Sequence, residues 1–308
     1  MNSTNKVILS LLVIGAAGFL SSSRIIEPET FRGNEKVLDI IQSIGAETPL
    51  HFISKNQLDS AKVTQGRNLV TQGFLKPKNK KAFETRQSKH FVCTDCHNIR
   101  REDPDLRQSN PETRLTYVAE KGIKFLPATT LYGTVNKNHW YNDDYFKKYG
   151  DLVLPARDSL KNAVQLCAVV CSQGRELTEE EMESVLHFLN SIGYTPEDLN
   201  LSAENYAKII NSEEKNKSQA LNLITSQYLD FSPATFMEPQ LNPVRQLGKN
   251  GNTENGKLIY ELSCLTCHQE RGVTNYKLNS EKLTFKHLKF WSGTHKTFSS
   301  YDITSKGT

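Results

Sequence analysis

The sequence predicts a mainly α-helical protein with two helical domains that follow an amino-terminal apolar segment. Three observations lead to this fold class. Several segments carry apolar residues at helical spacing, no segment shows the alternation of strands, and a helix followed by a cysteine pair occurs twice, about 170 residues apart. A chain of 308 residues, 37% hydrophobic and 23% charged, is long enough to bury two cores.

The charge of the chain is mild and unpatterned. Its net charge is +4, and the lysine and arginine residues are scattered along the sequence. Nucleic-acid-binding domains instead gather basic residues into a patch or stripe. We therefore expect no nucleic acid as a partner.

The first 23 residues read as an export signal or a membrane anchor. Lys6 precedes the apolar run VILSLLVIGAAGFL, which ends at Leu20 and is followed by three serines. The run is shorter than the roughly 18 to 20 residues of a spanning helix, which favours an export signal. An uncleaved anchor that associates with a membrane through residues 7–20 stays open. Residues 24–57 show no strong periodicity and are predicted to be an extended lead-in.

The first domain is predicted to span residues 58–195. A helix is expected from Leu58 to Gly73, because Leu69 and Val70 lie on one face and the glycine can end it. A second helix follows Thr178, which forms a capping box with Glu181. Its apolar residues at helical spacing are Met182, Val185, Leu186 and Leu189, and Gly193 ends it.

Residues 196–251 are predicted to be a linker, because they mix a polar amphipathic stretch with a segment bearing proline and asparagine. The second domain is expected at residues 252–308. It opens with a helical face of Leu258, Ile259 and Leu262 that runs into the second cysteine pair. Only 40 residues follow His268, which indicates a truncated second domain.

Both cysteine pairs are followed by histidine, as C-T-D-C-H at residues 93–97 and C-L-T-C-H at residues 264–268. C-x-x-C-H is the attachment sequence of c-type haem. Two thiols three positions apart on a helical turn reach the two vinyl groups of one porphyrin, and the next residue presents an imidazole to the iron. A thioredoxin-like pair, a zinc site or plain disulfides do not account for a histidine after both pairs. The sequence therefore predicts two covalently bound c-type haems, attached through Cys93, Cys96, Cys264 and Cys267, with His97 and His268 as proximal ligands of the irons.

With these motifs the chain resembles dihaem cytochromes c with two cytochrome c-like helical domains, and residues 58–195 are similar to the SoxA/thiosulfate dehydrogenase type of cytochrome c domain. In that family, C-x-x-C-H is followed about seventy residues later, as in this chain, by a run of the form R-I-x-x-C-x-x-x-S-x-N-G-x. The matching text here is AVQLCAVVCSQGR, residues 163–175. The resemblance aligns Cys167 with the cysteine of the family, which supplies a thiolate as distal ligand of the haem iron. Ala163, Cys171 and Gln173 depart from the pattern, standing where the family has Arg, Ser and Asn.

A thiolate ligand stabilises ferric iron and lowers the reduction potential. Residues four apart on a helix have Cβ atoms about 6 Å apart, and exported thiols tend to oxidise, so a disulfide between Cys167 and Cys171 is an alternative. Cys171 as the ligand and two free buried thiols also stay open. His139 and Met182 are weaker candidates for the distal position of the first haem.

The distal ligand of the second haem is not evident. No methionine follows His268, so the usual ligand is absent from this stretch. His287 and His295 are the substitutes that the sequence offers, and Met237 in the linker is a weaker one.

These features favour an exported dihaem c-type cytochrome that carries electrons between extracytoplasmic redox protein partners. We expect it in the periplasm, or anchored to a membrane and facing the periplasm. An enzyme that oxidises a reduced sulfur compound such as thiosulfate at a His/Cys-ligated haem is the main competing hypothesis, with Arg157 and Arg175 as candidates for binding the anionic substrate. The hypotheses of a subunit of a membrane respiratory complex and of a dihaem peroxidase stay open as well.

Overall fold

The computed structural model describes residues 35–75, 86–233 and 252–265. Within these ranges lie ten α-helices and no β-strand, apart from one isolated parallel bridge between His139 and Phe231, so the expected mainly α class is confirmed there. The helices are α1 (Val37–Ser43), α2 (Ser60–Gln72), α3 (Cys93–Cys96), α4 (Pro111–Glu120), α5 (Asp143–Tyr149), α6 (Leu160–Leu166), α7 (Glu179–Ser191), α8 (Ala203–Ile210), α9 (Lys217–Thr225) and α10 (Thr253–Ile259).

Several predictions fall outside the described residues. These are the apolar run at residues 7–20, the distal candidates Met237, His287 and His295, and the haem residues Cys267 and His268. Among the described residues, no helix has the length and apolar character needed to cross a membrane.

Helices α2 and α7 pack against each other at the centre of the described structure. Asp59 caps α2 by accepting hydrogen bonds from the backbone N–H of Ala61 at 2.7 Å and of Lys62 at 3.3 Å. Gly73 ends α2 in the left-handed conformation, with φ 83°, as its position in the sequence predicts. Leu69 and Val70 are buried, whereas Ala61 is exposed.

Helix α7 begins with the predicted capping box. The Thr178 hydroxyl accepts from the Glu181 N–H at 3.3 Å, and the Glu181 carboxylate accepts from the Thr178 N–H at 2.9 Å. Met182, Val185 and Leu189 are buried, and Leu186 is half-buried. The predicted apolar face of α7 is therefore the face that enters the core.

The close approach of α2 to α7 depends on a glycine. A Cβ atom at Gly66 would lie 1.9 Å from the backbone oxygen of Ser184 and 2.8 Å from the Cβ of Phe188. Only a residue without a side chain fits between the two helices at this separation.

The lead-in and the linker contribute helices to the same core. The segment expected to be extended contains α1, whose buried residues are Val37, Leu38, Ile40 and Ile41. The linker contains α8 and α9, which bury Tyr206, Ile209 and Ile224 in the same cluster. Burial of these apolar side chains stabilises helices of only seven to nine residues, which are too short to be stable alone.

Candidate haem site

The first C-x-x-C-H sequence forms a single helical turn, α3, so that Cys93 and Cys96 lie on one face of it. The Asp95 carboxylate accepts from the Val92 backbone N–H at 2.8 Å and fixes the start of the turn. His97 follows with an extended backbone, φ −119° and ψ 134°. One short segment therefore carries two thiols and an imidazole, and the chain leaves the turn at the histidine.

The imidazole of His97 is held in one orientation. Its Nδ1 lies 2.6 Å from the carbonyl oxygen of Thr129. Because a carbonyl only accepts hydrogen bonds, Nδ1 carries the proton and Nε2 keeps a lone pair. Among the described residues Nε2 has no hydrogen-bond partner, and metal-ligating histidines are usually oriented in this way through their other nitrogen.

The chain around Thr129 is fastened to the same turn. The Ala128 N–H donates to the Cys96 carbonyl at 3.1 Å, and the Leu131 N–H donates to the Asn98 carbonyl at 2.8 Å. These bonds lie on either side of the contact between His97 and Thr129. Burial lowers the pKa of His97, although the bond to Thr129 and the charge of Glu102 oppose that shift. The imidazole is therefore neutral at neutral pH, which is the form that binds iron.

Cys167 and Cys171 lie on a π-helical turn, Cys167–Cys171, that continues α6. The Ser172 N–H donates to the Cys167 carbonyl at 2.9 Å, five residues back. Gln173 follows in the left-handed conformation, with φ 51°. Single π-turns inside helices occur frequently at functional sites.

Gln87 and Ser88 clamp this turn to the segment that leads into Cys93. The Gln87 side-chain amide donates to the carbonyls of Ala168 and Arg175, both at 2.8 Å. The Ser88 hydroxyl donates to the Ser172 carbonyl at 2.6 Å. Both side chains are buried, so these hydrogen bonds also satisfy polar groups that water does not reach.

These hydrogen bonds hold Cys167 and Cys171 close enough to Cys93 and Cys96 for the thiols of that turn to influence the pKa of Cys167. A hydrogen bond with Cys171 raises the pKa of Cys167 most, and burial and the thiols of Cys171, Cys93 and Cys96 raise it further. The same hydrogen bond lowers the pKa of Cys171, with a contribution from the Tyr141 hydroxyl and against burial. Within this pair the hydrogen bond therefore favours the thiolate on Cys171, the more exposed of the two residues.

Neither Cys167 nor Cys171 forms a disulfide in the structure. Their arrangement therefore corresponds to two neighbouring thiols, and both remain candidates for the iron.

Aromatic side chains stand beside the two thiols. The rings of Tyr141 and Tyr145 meet edge to face with centroids 4.9 Å apart, and those of Tyr145 and Tyr149 stack at 6.2 Å. Burial raises the pKa of Tyr145 to about 12, with smaller contributions from Cys171 and Cys167. Trp140, which precedes Tyr141 in the sequence, is instead buried in the core, where its ring N–H donates to Thr134 at 3.2 Å.

Cys93 retains exposed surface, although desolvation by the surrounding protein raises the pKa of its thiol to about 11. Val169 and Val170, on the turn that carries Cys167, are also 38% and 40% exposed. Paired thiols and an oriented imidazole are the groups that a c-type haem takes from the protein.

The two arginines proposed for substrate binding are each paired with a carboxylate. Arg175 donates to both oxygens of Glu181, at 2.7 and 2.6 Å. Arg157 pairs with Asp143. An anionic substrate would have to compete with these carboxylates for either guanidinium.

The weaker distal candidates are engaged elsewhere. The His139 ring lies 2.5 Å from the Asp158 carboxylate and is 53% exposed. Met182 is buried in α7 at 3% exposure and belongs to the core.

The second cysteine pair is described only at its start. α10 begins at the Asn252 cap, and a π-helical turn, Tyr260–Cys264, continues it to Cys264, as the apolar pattern predicts. This segment contacts the chain that follows α4, because the Phe125 N–H donates to the Leu262 carbonyl at 3.1 Å. Cys264 is half-buried and forms no disulfide.

Sequence reasoning missed the residues that orient the site. Thr129 acts through its backbone carbonyl, which any residue would supply, so no sequence signal marks it. Gln87 and Ser88 contact residues more than eighty positions away, and no local pattern predicts such a pairing.

No metal cluster made only of protein ligands is present in the ranges that the structure describes, since no group of three or more His, Cys, Asp or Glu side chains could hold a metal ion there. A haem iron takes most of its ligands from the porphyrin and needs only one or two from the protein.

Comparison with protein families, with curated proteins and with solved structures found no match to this chain. The resemblance to the SoxA type of domain therefore rests on the motif residues alone.

Proposed function

We propose that the chain is an exported dihaem c-type cytochrome that passes electrons between redox proteins outside the cytoplasm. The observation that carries the proposal is the position of His97. It directly follows a helical turn with two thiols, and the Thr129 carbonyl fixes its imidazole through Nδ1. Covalent haem would supply one-electron chemistry at this position. Cys93 and Cys96 would attach the porphyrin, and the Thr129 carbonyl would orient its ligand His97.

The same proposal assigns Cys264, Cys267 and His268 to a second haem, and the segment before residue 24 to export or anchoring. The assignment of the second haem rests on the C-x-x-C-H motif. Cys264 lies on a helical turn, as the attachment chemistry requires. Redox protein partners follow from the assignment as an electron carrier.

Haem counting tests the proposal. The protein is produced by export together with the enzymes that attach haem covalently, and bound haem is measured per chain by mass spectrometry and by absorption of the denatured protein. We expect two haems in the parent and one in the double variant Cys93→Ala/Cys96→Ala. His139→Gln is the matched control, because it alters a half-exposed histidine outside both motifs and should keep both haems. A parent chain without covalent haem would refute the proposal.

A second candidate function is the oxidation of a small reduced sulfur compound at the first haem. The thiol of Cys167 lies near enough to those of Cys93 and Cys96 for them to raise its pKa, and this proximity supports it as a distal ligand of an iron that His97 would hold. Such a site would accept electrons from substrate and pass them through the second haem to a partner. The engaged arginines weigh against a ready-made anion site.

Electron paramagnetic resonance of the oxidised protein separates the two functions. A low-spin thiolate signal that is lost in Cys167→Ala and kept in Cys171→Ser identifies Cys167 as the ligand. Turnover of thiosulfate with a ferric acceptor by the parent, and not by Cys167→Ala, would then support the enzyme. Without that turnover, the assignment as an electron carrier stands.

A further inference from the structure

A polar cleft adjoins the chain behind His97. It comprises about 430 Å³ of space, including open solvent at its mouth, and is lined by residues that include Asp103, Thr129, Thr130, Tyr132 and Lys137. The function proposed above uses none of the charged groups in it.

Two of these charged groups have no hydrogen bond or ion pair with any residue that the structure describes. Lys137 is only 7% exposed, yet no described residue forms a hydrogen bond or ion pair with its ammonium. The half-buried carboxylate of Asp103 is likewise without a hydrogen bond to any described residue. Buried charges are normally paired, because removing a charge from water is costly. Both groups keep contact with solvent in the cleft, because neither belongs to the fully buried polar atoms that lack a partner, so both can exchange protons with water.

The pKa shifts of Asp103 and Lys137 agree with their position in the cleft. Burial raises the pKa of Asp103 to about 6, with Glu102 adding to it and Arg114, Lys137 and Arg101 opposing. Burial lowers the pKa of Lys137 to about 8, against the charges of Asp103 and Glu102. The other titratable or charged groups around the pair are Arg101 and Arg114, the tyrosines Tyr132 and Tyr194, and Asp198, which is bonded to Tyr132 and Arg101.

Glu102 connects the cleft to the haem ligand. Its carboxylate is 1% exposed and accepts from the Asn98 side chain at 2.8 Å and from the Thr130 N–H at 2.7 Å. Asn98 directly follows His97 in the chain, and Thr130 directly follows Thr129, the hydrogen-bond partner of His97. Glu102 therefore bridges the two segments one residue beyond the bond that orients His97, and Asp103 is the next residue along.

We propose that this cleft is a proton-binding site, formed by Asp103 and Lys137, that is coupled to the redox state of the iron held by His97. The inference rests on the proposed function. Reduction of a haem iron held there would add negative charge to the site, and Asp103 or Lys137 would then bind a proton from solvent more tightly, which would offset part of that charge. Because the coupling is reciprocal, proton binding must in turn raise the reduction potential.

The test is the midpoint potential of the first haem between about pH 5 and about pH 9, measured by spectroelectrochemistry with resonance spectra to separate the two haems. In the parent we expect the potential to fall as the pH rises through the range where Asp103 and Lys137 titrate. A tenfold difference in proton affinity between the two redox states corresponds to about 59 mV for one electron. Asp103→Asn and Lys137→Gln should each flatten part of this dependence.

Asp105→Asn and Lys121→Gln are the matched controls, because they remove the same charges outside the cleft. Titration of the haem carboxylates would affect all variants alike. Curves of the same shape in the parent, the controls and both cleft variants would overturn the inference. If a cleft variant does not fold, the protons that the parent takes up on reduction are measured instead. No proton uptake between about pH 6 and about pH 8 would also overturn the inference. A chain without haem at Cys93 and Cys96 refutes the proposed function as well, whereas bound haem with a flat potential refutes this inference alone.

Discussion

Cys167 and Cys171 are four residues apart on one turn, but their thiols have different surroundings. Cys167 is half-buried and faces the thiols of the C-x-x-C-H turn, whereas Cys171 is exposed and receives hydrogen bonds from Cys167 and Tyr141. A buried thiol next to other thiols resists ionisation unless a metal binds it. The environment therefore gives two chemically identical residues, both candidates for the iron, different reactivity: Cys171 ionises more readily and is more accessible.

This difference predicts selective alkylation. In the haem-loaded protein at neutral pH, iodoacetamide should modify Cys171 far faster than Cys167, because the thiolate is the reactive form and Cys171 is the more accessible. Peptide mass spectrometry after a brief reaction measures both sites, and a denatured sample, in which both should react, is the control. Preferential modification of Cys167 would contradict this assignment of the two thiols.

Gln87 is the residue on which the geometry of the Cys167 turn depends most directly. Its amide satisfies two carbonyls, of Ala168 and Arg175, in a buried position. Gln87→Ala leaves both carbonyls without this donor and should lower the free energy of unfolding by about 1 to 3 kcal/mol. Denaturant unfolding measures the loss, and Gln72→Ala, at an exposed position on α2, is the control. An unchanged stability would mean that Gln87 does not clamp the turn.

At the level of elements, the crossing of α2 and α7 is the most sharply constrained contact. Gly66→Ala would put a methyl group 1.9 Å from a backbone oxygen, which no side-chain rotation relieves. Alanine favours a helix over glycine by about 1 kcal/mol, but separating two packed helices costs about 1 to 3 kcal/mol or more. We expect Gly66→Ala to lower the midpoint of thermal unfolding.

Gly256→Ala is the matched control for this crossing. Gly256 also lies within a helix, α10, but a Cβ there meets nothing within 4 Å. Here the helix propensity acts alone, so the substitution should leave stability unchanged or raise it slightly. Equal effects of the two substitutions would show that the crossing does not depend on Gly66.

Elements with local signals could be predicted from the sequence, and those made by long-range burial could not. The start of α7 follows from Thr178 and Glu181, three positions apart, and the end of α2 from Gly73. Helix α1 has seven residues, too few for a clear period, and its stability comes from burial against distant parts of the chain. Within the site, the two thiols and the imidazole were predictable from one pentapeptide, but the carbonyl of Thr129 was not, because backbone groups leave no mark in a sequence.

At the level of the whole molecule, several histidines are held neutral by the fold. Burial is the largest cause of the lowered pKa of His51, His97 and His187. A histidine with a lowered folded pKa binds protons more readily in the unfolded chain, so stability falls as the pH decreases below about 6.5. Asp103 acts in the opposite direction, because its pKa is raised to about 6 and the folded state takes up a proton there first. The histidines should therefore dominate between about pH 7.5 and about pH 6.

His51 offers the cleanest test of this balance, because it lies outside the candidate haem site. Its ring meets Trp140 edge to face at 5.3 Å, and Nε2 lies 2.8 Å from the Val135 carbonyl. His51→Gln keeps a hydrogen-bond donor but removes the titrating group, so the loss of stability on acidification between about pH 7.5 and about pH 6 should be smaller than in the parent. Thermal unfolding at the two pH values measures the difference, and His90→Gln, at an exposed histidine, is the control. If His51→Gln loses as much stability as the parent over this range, proton binding by the unfolded chain at His51 does not contribute, and the acid sensitivity must come from other groups.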